Sequence, residues 1–170
     1  MLWYEEKNCD NIIISSRVRL ARNLKDYPFY NFINNEKSKE MIDKVTNAIF
    51  NDRISSKNCF EKIDFENLDK IKQYTMLEKY IISNNFLESS KPKAIILEKN
   101  SNINIMINEE DHIRIQSINS GYNIEKCFEE ANRIDNLLEE SLSYAYDNQY
   151  GYLTSCITNV GTGLRASFML

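Results

Sequence analysis

The sequence predicts an α+β fold, an antiparallel sheet flanked by helices. Two long stretches, residues 36–50 and 123–144, place apolar side chains at helical spacing. After Pro92, three short apolar runs follow one another across polar turns, the pattern of an antiparallel meander. With 170 residues, 42% of them hydrophobic, the chain can bury a core, and one domain over residues 1–170 is expected.

Residues 11–19 alternate into a first strand, and Pro28 with the asparagine-rich stretch behind it marks an exit loop. In residues 36–50, Met41, Ile42, Val45, Ala48 and Ile49 form the apolar face of a helix that Asn34 or Asn35 can cap. Phe60, Ile63 and Phe65 suggest a short extended piece, and Leu68, Ile71, Leu77 and Ile81 suggest a helix over residues 67–80. The meander reads as 94–98, a turn at Asn100-Ser101-Asn102, then 103–108 and 112–118, ending in Asn119-Ser120-Gly121. From Asn123, a predicted N-cap, Ile124, Cys127, Phe128, Ala131, Ile134, Leu138 and Leu142 draw one stripe along a helix. Residues 151–156 and 164–170 read as strands joined by Thr158-Asn159-Val160-Gly161-Thr162-Gly163.

A formal charge of -4 argues against a general nucleic-acid or membrane-surface binder, so any anion site must be local. The first ten residues lack the apolar run of a secretory signal, and no stretch approaches the roughly 18 apolar residues of a membrane span. A soluble, cytoplasmic protein is expected. Cys9, Cys59, Cys127 and Cys156 show no C-x-x-C pairing, which points to free thiols rather than a zinc site or a disulfide framework. The single histidine, His112, excludes a His-x-x-x-His metal site and leaves a Ser-His-Asp triad possible in principle.

Four of the seven arginines, Arg17, Arg19, Arg114 and Arg165, fall in strand-like segments, whereas the fourteen lysines fall in segments read as loops or helices. A guanidinium held on a strand can fork onto phosphate oxygens, while lysine acts as a mobile point charge. Strand alternation puts Arg17 and Arg19 on one face, with Val18 and Leu20 on the other. If residues 108–116 stay extended, Asn108, Glu110, His112, Arg114 and Gln116 form an unbroken polar row, with Ile113 and Ile115 toward the core. Arg165 and Ser167 repeat the pattern against Leu164, Ala166 and Phe168. A charged outer face of a half-solvated sheet explains any one segment; three together favour a shared anion-binding face.

Glu109, Glu110 and Asp111 are too many carboxylates for a pure phosphate clamp, and they can hold Mg2+ through water or bind a cationic substrate group. Arginines for phosphates beside acids for a metal and a nucleophile are what phosphoryl transfer requires. Cys156 is expected to end a strand before a glycine- and hydroxyl-rich loop whose amides, with Thr158, can stabilise a thiolate; Cys127 reads as packing.

Three ordered motifs carry a resemblance that covers most of the chain: Ser15-Ser16-Arg17-Val18-Arg19-Leu20-Ala21-Arg22-Asn23, then Asn108-Glu109-Glu110-Asp111-His112-Ile113-Arg114-Ile115-Gln116, then residues 151–156 with 158–167. They resemble the ATP:guanido phosphotransferase (phosphagen kinase) family, and within it the bacterial branch that phosphorylates protein arginines. The resemblance implies that the chain is the first part of a guanido kinase catalytic domain, a large antiparallel sheet flanked by helices, without the separate N-terminal helical domain of metabolite-specific relatives. It implies transfer of the ATP γ-phosphoryl group to a guanidinium nitrogen, with Mg2+ bridging the phosphates.

By position in these motifs, Ser15, Ser16, Arg17, Val18, Arg19, Arg114, Arg165, Ala166, Ser167, Phe168 and Met169 match the ATP-binding residues. Glu110 matches the carboxylate that orients the guanidinium and accepts its proton, Cys156 the reactive thiol beside it, and Glu109 a water-mediated metal contact. Tyr80 stands where a nucleotide-contacting histidine is usual and can still stack on adenine. Ile157 replaces the proline usual after the motif cysteine. The resemblance implies that a further phosphate-binding arginine and a second catalytic carboxylate are to be expected beyond Leu170. Partners implied are arginine-bearing protein substrates, a Clp ATPase and an activator protein. The alternatives are an incomplete nucleotide-binding or adaptor protein for a Clp-type protease, or a kinase of free arginine or another small guanidino compound.

Overall fold

The computed structural model describes residues 3–4, 12–50, 60–99 and 102–170. Its elements are β1 (Ser15–Arg22), α1 (Asn35–Phe50), β2 (Phe60–Ile63), α2 (Lys70–Glu78), α3 (Asn84–Glu88), β3 (Ala94–Glu98), β4 (Ile103–Ile107), β5 (Ile113–Ser120), α4 (Ile124–Glu139), β6 (Tyr146–Asp147), β7 (Gly151–Tyr152), a short 3-10 turn (Ile157–Asn159) and β8 (Leu164–Met169). Six strands form one sheet in the order β2-β3-β4-β5-β1-β8, every pairing antiparallel, and β6 and β7 make a separate hairpin. The α+β class with an antiparallel sheet is as the sequence predicts.

The two faces of the sheet have different fates. Val18, Leu20, Ile105, Ile107, Ile113 and Ile115 point to one face, where the buried stripes of α1 (Met41, Val45, Ile49) and α4 (Cys127, Ala131, Ile134, Leu138) close the main core. On the opposite face, Ile95 of β3 and Met106 of β4 are covered by Phe65, Ile82 and Phe86 in a smaller core. That second cover sits over the β2–β4 side, and the same face of β5, β1 and β8 carries the arginines.

Local chemistry explains the boundaries. Asn34 Oδ1 accepts from the Lys37 amide at 2.9 Å, so the first of the two predicted caps starts α1. Asp69 caps α2 through the Lys72 amide and Ser83 caps α3 through the Phe86 amide. The helix expected over 67–80 is the shorter α2, which ends before Tyr80 takes a left-handed φ of 57°, and α3 beyond it was not expected. Asn123 precedes α4, but its side chain turns back to the Ser120 carbonyl and makes no cap bond. The helix stops at Glu139 rather than continuing to 144, and Phe128 is 42% exposed, off the buried stripe.

Four further expectations are corrected. β1 extends to Arg22, so a fifth arginine lies on a strand, and Lys62 lies on β2. The strand expected over 151–156 shrinks to Gly151–Tyr152, and beyond it the Leu153 amide bonds the Ala145 carbonyl and the Ser155 amide bonds Asp111 Oδ1. Residues 108–112 do not stay extended: Asn108 adopts φ 62° and its amide bonds the His112 carbonyl, closing a turn. The predicted turn at Asn100-Ser101-Asn102 falls partly outside the described residues, as do Cys9 and Cys59.

Candidate active site

Register turns the arginine motifs into one patch. Arg19 lies directly across from Arg165 of β8 on one side and from Gln116 of β5 on the other, and Arg17 lies across from Ser167 and Ile118. Arg114 pairs with Ala21. Antiparallel partners share a face, so these side chains emerge together. They line a cavity of about 320 Å³ that holds Arg19, Arg114, Arg165, Glu109, Glu110 and Cys156. A second cavity, about 480 Å³, shares Arg19 and Arg114 with it and adds Arg17, Tyr80 and Gln116.

The patch is electrostatically incomplete. Among the described residues, the arginine ion pairs use Arg22, Arg114 and Arg133, and none uses Arg17, Arg19 or Arg165. Burial, then Arg17, Arg114 and Arg165, pull the Arg19 guanidinium down to about 10, and its buried Nε has no hydrogen-bond partner among the described residues. Arg17 is likewise lowered, first by burial; Tyr80 opposes the shift, while Arg165 and Arg114 add to it. Among the described residues its side chain makes one long bond, Nε to Ser167 Oγ at 3.3 Å. Like charges at directly paired strand positions destabilise a sheet. An anion between them removes that cost.

Arg114 is aimed by two acids. Its Nη1 donates to Glu109 Oε1 and its Nη2 to Glu110 Oε2, both at 2.8 Å. Glu109 is 2% exposed, and its oxygens also accept from Ser83 Oγ and the Glu110 amide. It is thus a brace for Arg114, fully engaged by protein donors. The Glu110 side chain is 36% exposed and opens into the cavity. Among the described residues no three His, Cys, Asp or Glu gather closely enough to hold a metal ion.

The half-buried Cys156 sits on a loop, not at a strand end, and its Sγ lies 3.0 Å from Thr158 Oγ1. That loop is tied to the acid turn: Asp111 Oδ1 accepts from the Ser155 amide at 2.7 Å and from Asn23 Nδ2 at 2.6 Å. Asp111 follows Glu110 and Ser155 precedes Cys156, so one carboxylate fixes the acid and the thiol in a common frame. Gly163 completes the frame, because a Cβ there would fall 2.5 Å from both Ala21 O and Arg22 Nη1.

Several predicted residues lie elsewhere. Val18 is 1% exposed in the main core, and Ser16 is buried, donating to the Gly121 carbonyl and accepting from the Asn123 amide. Ala166 and Phe168 pair with them and share their face, the Phe168 ring stacking on Tyr122 at 5.5 Å. The side chains of these four are turned from the arginines, while Ser15, Ser167 and Met169 stay beside Arg17. Asn108 and His112 leave the expected polar row: Asn108 Nδ2 donates to the Pro92 carbonyl, and His112 Nδ1 accepts from the Leu24 amide. Burial lowers the His112 pKa, and with Nδ1 accepting, Nε2 donates to the Pro28 carbonyl at 2.9 Å. Ser83, Asn84, Asn85 and Asn159, given no role by the sequence motifs, also line the first cavity. Only Ser83 carries a local signal, that of a helix cap.

A family model for the ATP:guanido phosphotransferase C-terminal catalytic domain matches residues 40–170. The chain belongs to this family. Protein-arginine kinases are among its relatives: that of Clostridium kluyveri is 46% identical over 98% of this chain and 48% of its own length, and that of Clostridium novyi 43% identical over 99% and 49%. The chain thus spans about half the length of the curated relatives it matches. In fold, it is similar to a duplicated taurocyamine kinase from Schistosoma mansoni (TM-score 0.84, 24% identity, 93% of this chain and 23% of that one) and to a lombricine kinase (TM-score 0.78, 22% identity, 92% and 47%). In this ATP:guanido phosphotransferase chain the matched segment contributes Arg114, Arg165, Glu110 and Cys156, while Arg17 and Arg19 come from β1 outside it.

Proposed function

We propose that the protein is a protein-arginine kinase, moving the γ-phosphoryl group of ATP to an arginine side chain of a protein. The observation that carries this reading is the convergence of Arg17, Arg19, Arg114 and Arg165, three of them without an acid partner among the described residues, on two cavities that share Arg19 and Arg114, the first of which also holds Arg165, Glu110 and Cys156. The arginines suit the triphosphate, since phosphoryl transfer is mainly positioning and charge neutralisation. The open edge of Glu110 suits a substrate guanidinium, whose pKa above about 12 makes it a poor nucleophile until it is oriented and relieved of a proton. As the nitrogen–phosphorus bond forms, the bond from the γ phosphorus to the β–γ bridging oxygen breaks, ADP leaves, and the guanidinium proton passes to Glu110. Cys156 stands beside that centre, where its sulfur can contact the substrate guanidinium.

The donor set fits a Mg2+ that arrives on the nucleotide rather than one held by a protein cage, and Glu110, open to the cleft where Glu109 is fully engaged, is the carboxylate that would hold it through water. When bound, Mg2+ neutralises phosphate oxygens. Relatives 38–46% identical are named protein-arginine kinases, which favours a protein arginine over a free guanidino compound. A Clp ATPase and an activator protein as partners, and a cytoplasmic location, belong to the same proposal.

Incubation with γ-labelled ATP, Mg2+ and an arginine-rich protein tests it. Acid-labile label on arginine is expected. ATP binding without label would replace the kinase reading by that of a nucleotide-binding or adaptor protein.

A further inference from the structure

Next to the arginine patch, on the same face of the sheet, the surface changes from cationic to apolar and aromatic. Arg17 is directly opposite Ile118, and Ile118 is shared by two cavities: a small cleft with Arg17 and Ser167, and a largely apolar cavity of about 380 Å³ lined by Trp3, Ile81 and Leu97 together with the charged Glu61, Glu98 and Lys99. Between the patch and that cavity stands Tyr80. Its ring has the Arg17 guanidinium carbon 5.9 Å from its centre and the Trp3 ring 6.1 Å away, tilted by 54°. Tyr80 is held by its backbone, with a left-handed φ and its carbonyl accepting from Gln116 Nε2 at 2.6 Å. Trp3 is held as well: its amide donates to Asn102 Oδ1 at 2.9 Å, and the adjacent Tyr4 ring lies 4.8 Å from Lys79 Nζ.

A nucleotide has the same polarity, a polyanion at one end and a flat apolar base at the other. Resting on the ATP reading above, we propose that Trp3 completes, with Tyr80 and over the floor made by Ile118, the aromatic wall that receives the base of the bound nucleotide. The sequence motifs gave no role to Trp3. Aromatic stacking against a base is tolerant of orientation and draws on the ring face, which a tilted pair of rings presents as a cleft rather than a closed stack.

Trp3 is the only tryptophan in the chain, so its emission reports on this place alone. The test compares ATP with inorganic tripolyphosphate, which has the charge without the base, by calorimetry and by tryptophan fluorescence on the 170-residue chain. Saturating ATP is expected to shift or quench the emission, and saturating tripolyphosphate to leave it unchanged. Trp3→Ala is expected to weaken ATP about tenfold while sparing tripolyphosphate, and Trp3→Phe to recover most of the loss. Unchanged emission at saturating ATP, or an equal loss of both ligands in Trp3→Ala, overturns the proposal while leaving the ATP reading in place. A wild-type chain that takes up neither ligand overturns the ATP reading and this inference with it.

Discussion

Arg19 and Arg22 lie three residues apart on the same strand and live in opposite circumstances. Arg22, on the core face, is held by the protein through both terminal nitrogens: Asp135 at 2.6 Å, the Ala21 and Thr162 carbonyls at 2.8 and 2.9 Å, and the Tyr152 ring 3.7 Å below its guanidinium, with its Nε, like that of Arg19, without a hydrogen-bond partner among the described residues. Arg19, on the other face, meets Arg165 across the strand, has no carboxylate partner among the described residues, and is pushed down to about 10. A side chain whose partners all come from the protein holds the fold together. One surrounded by its own charge sign makes sense only with something still to bind. Strand parity alone separates the two roles.

The largest effects fall on the acids that face these arginines. Glu110→Gln in the full-length protein should lower phosphoryl transfer by about 10²–10⁴-fold with ATP affinity nearly intact, as read by label transfer beside an ATP titration. An equal loss of ATP binding would show Glu110 to be a brace like Glu109. Next, Arg22→Ala should cost about 3–5 kcal/mol in urea unfolding, because Asp135 is left buried and unpaired. Arg19→Ala, by contrast, should leave unfolding unchanged or improved while weakening ATP. Similar stability losses for both would erase the distinction drawn here.

Smaller effects refine it. Arg114→Lys keeps the charge but loses the fork set by Glu109 and Glu110, and ATP affinity should fall on the order of tenfold; an unchanged titration would remove Arg114 from the phosphate contacts. The smallest effect is in pH. An anion favours the protonated form of Arg19, so ATP affinity should begin to decline as pH rises through about 10, the value to which Arg19 is lowered, with Arg19→Ala abolishing that step. A decline of equal size in the variant would assign it to another group.

Much of the arrangement is legible in the sequence because it obeys short-range rules. Alternation in Arg17-Val18-Arg19-Leu20 fixes which face each side chain takes, and the apolar spacing of Met41, Val45 and Ile49 fixes α1. What escapes is decided by contacts distant in sequence or by single backbone angles. The left-handed turn at Asn108 breaks a row that alternation would continue, and it sends His112 to the Leu24 amide. The left-handed Tyr80 follows the end of α2, and Ser83 beyond it caps the unpredicted α3 and donates to Glu109. Cys156 leaves its strand because Asp111, far away in the chain, holds the Ser155 amide. None of these has a local signature. Arg22 is a different case: alternation from Val18 and Leu20 puts it on the core face once β1 runs through to Arg22.

The most direct test is a calorimetric titration of Mg-ATP into the wild-type chain and into the Arg19→Ala/Arg165→Ala double variant, with the melting temperature of each recorded. If the unpartnered arginines are a phosphate site, the wild type binds one ATP, and the double variant loses that binding while melting no lower. ATP binding that survives the double substitution, or a variant that simply unfolds, would contradict it.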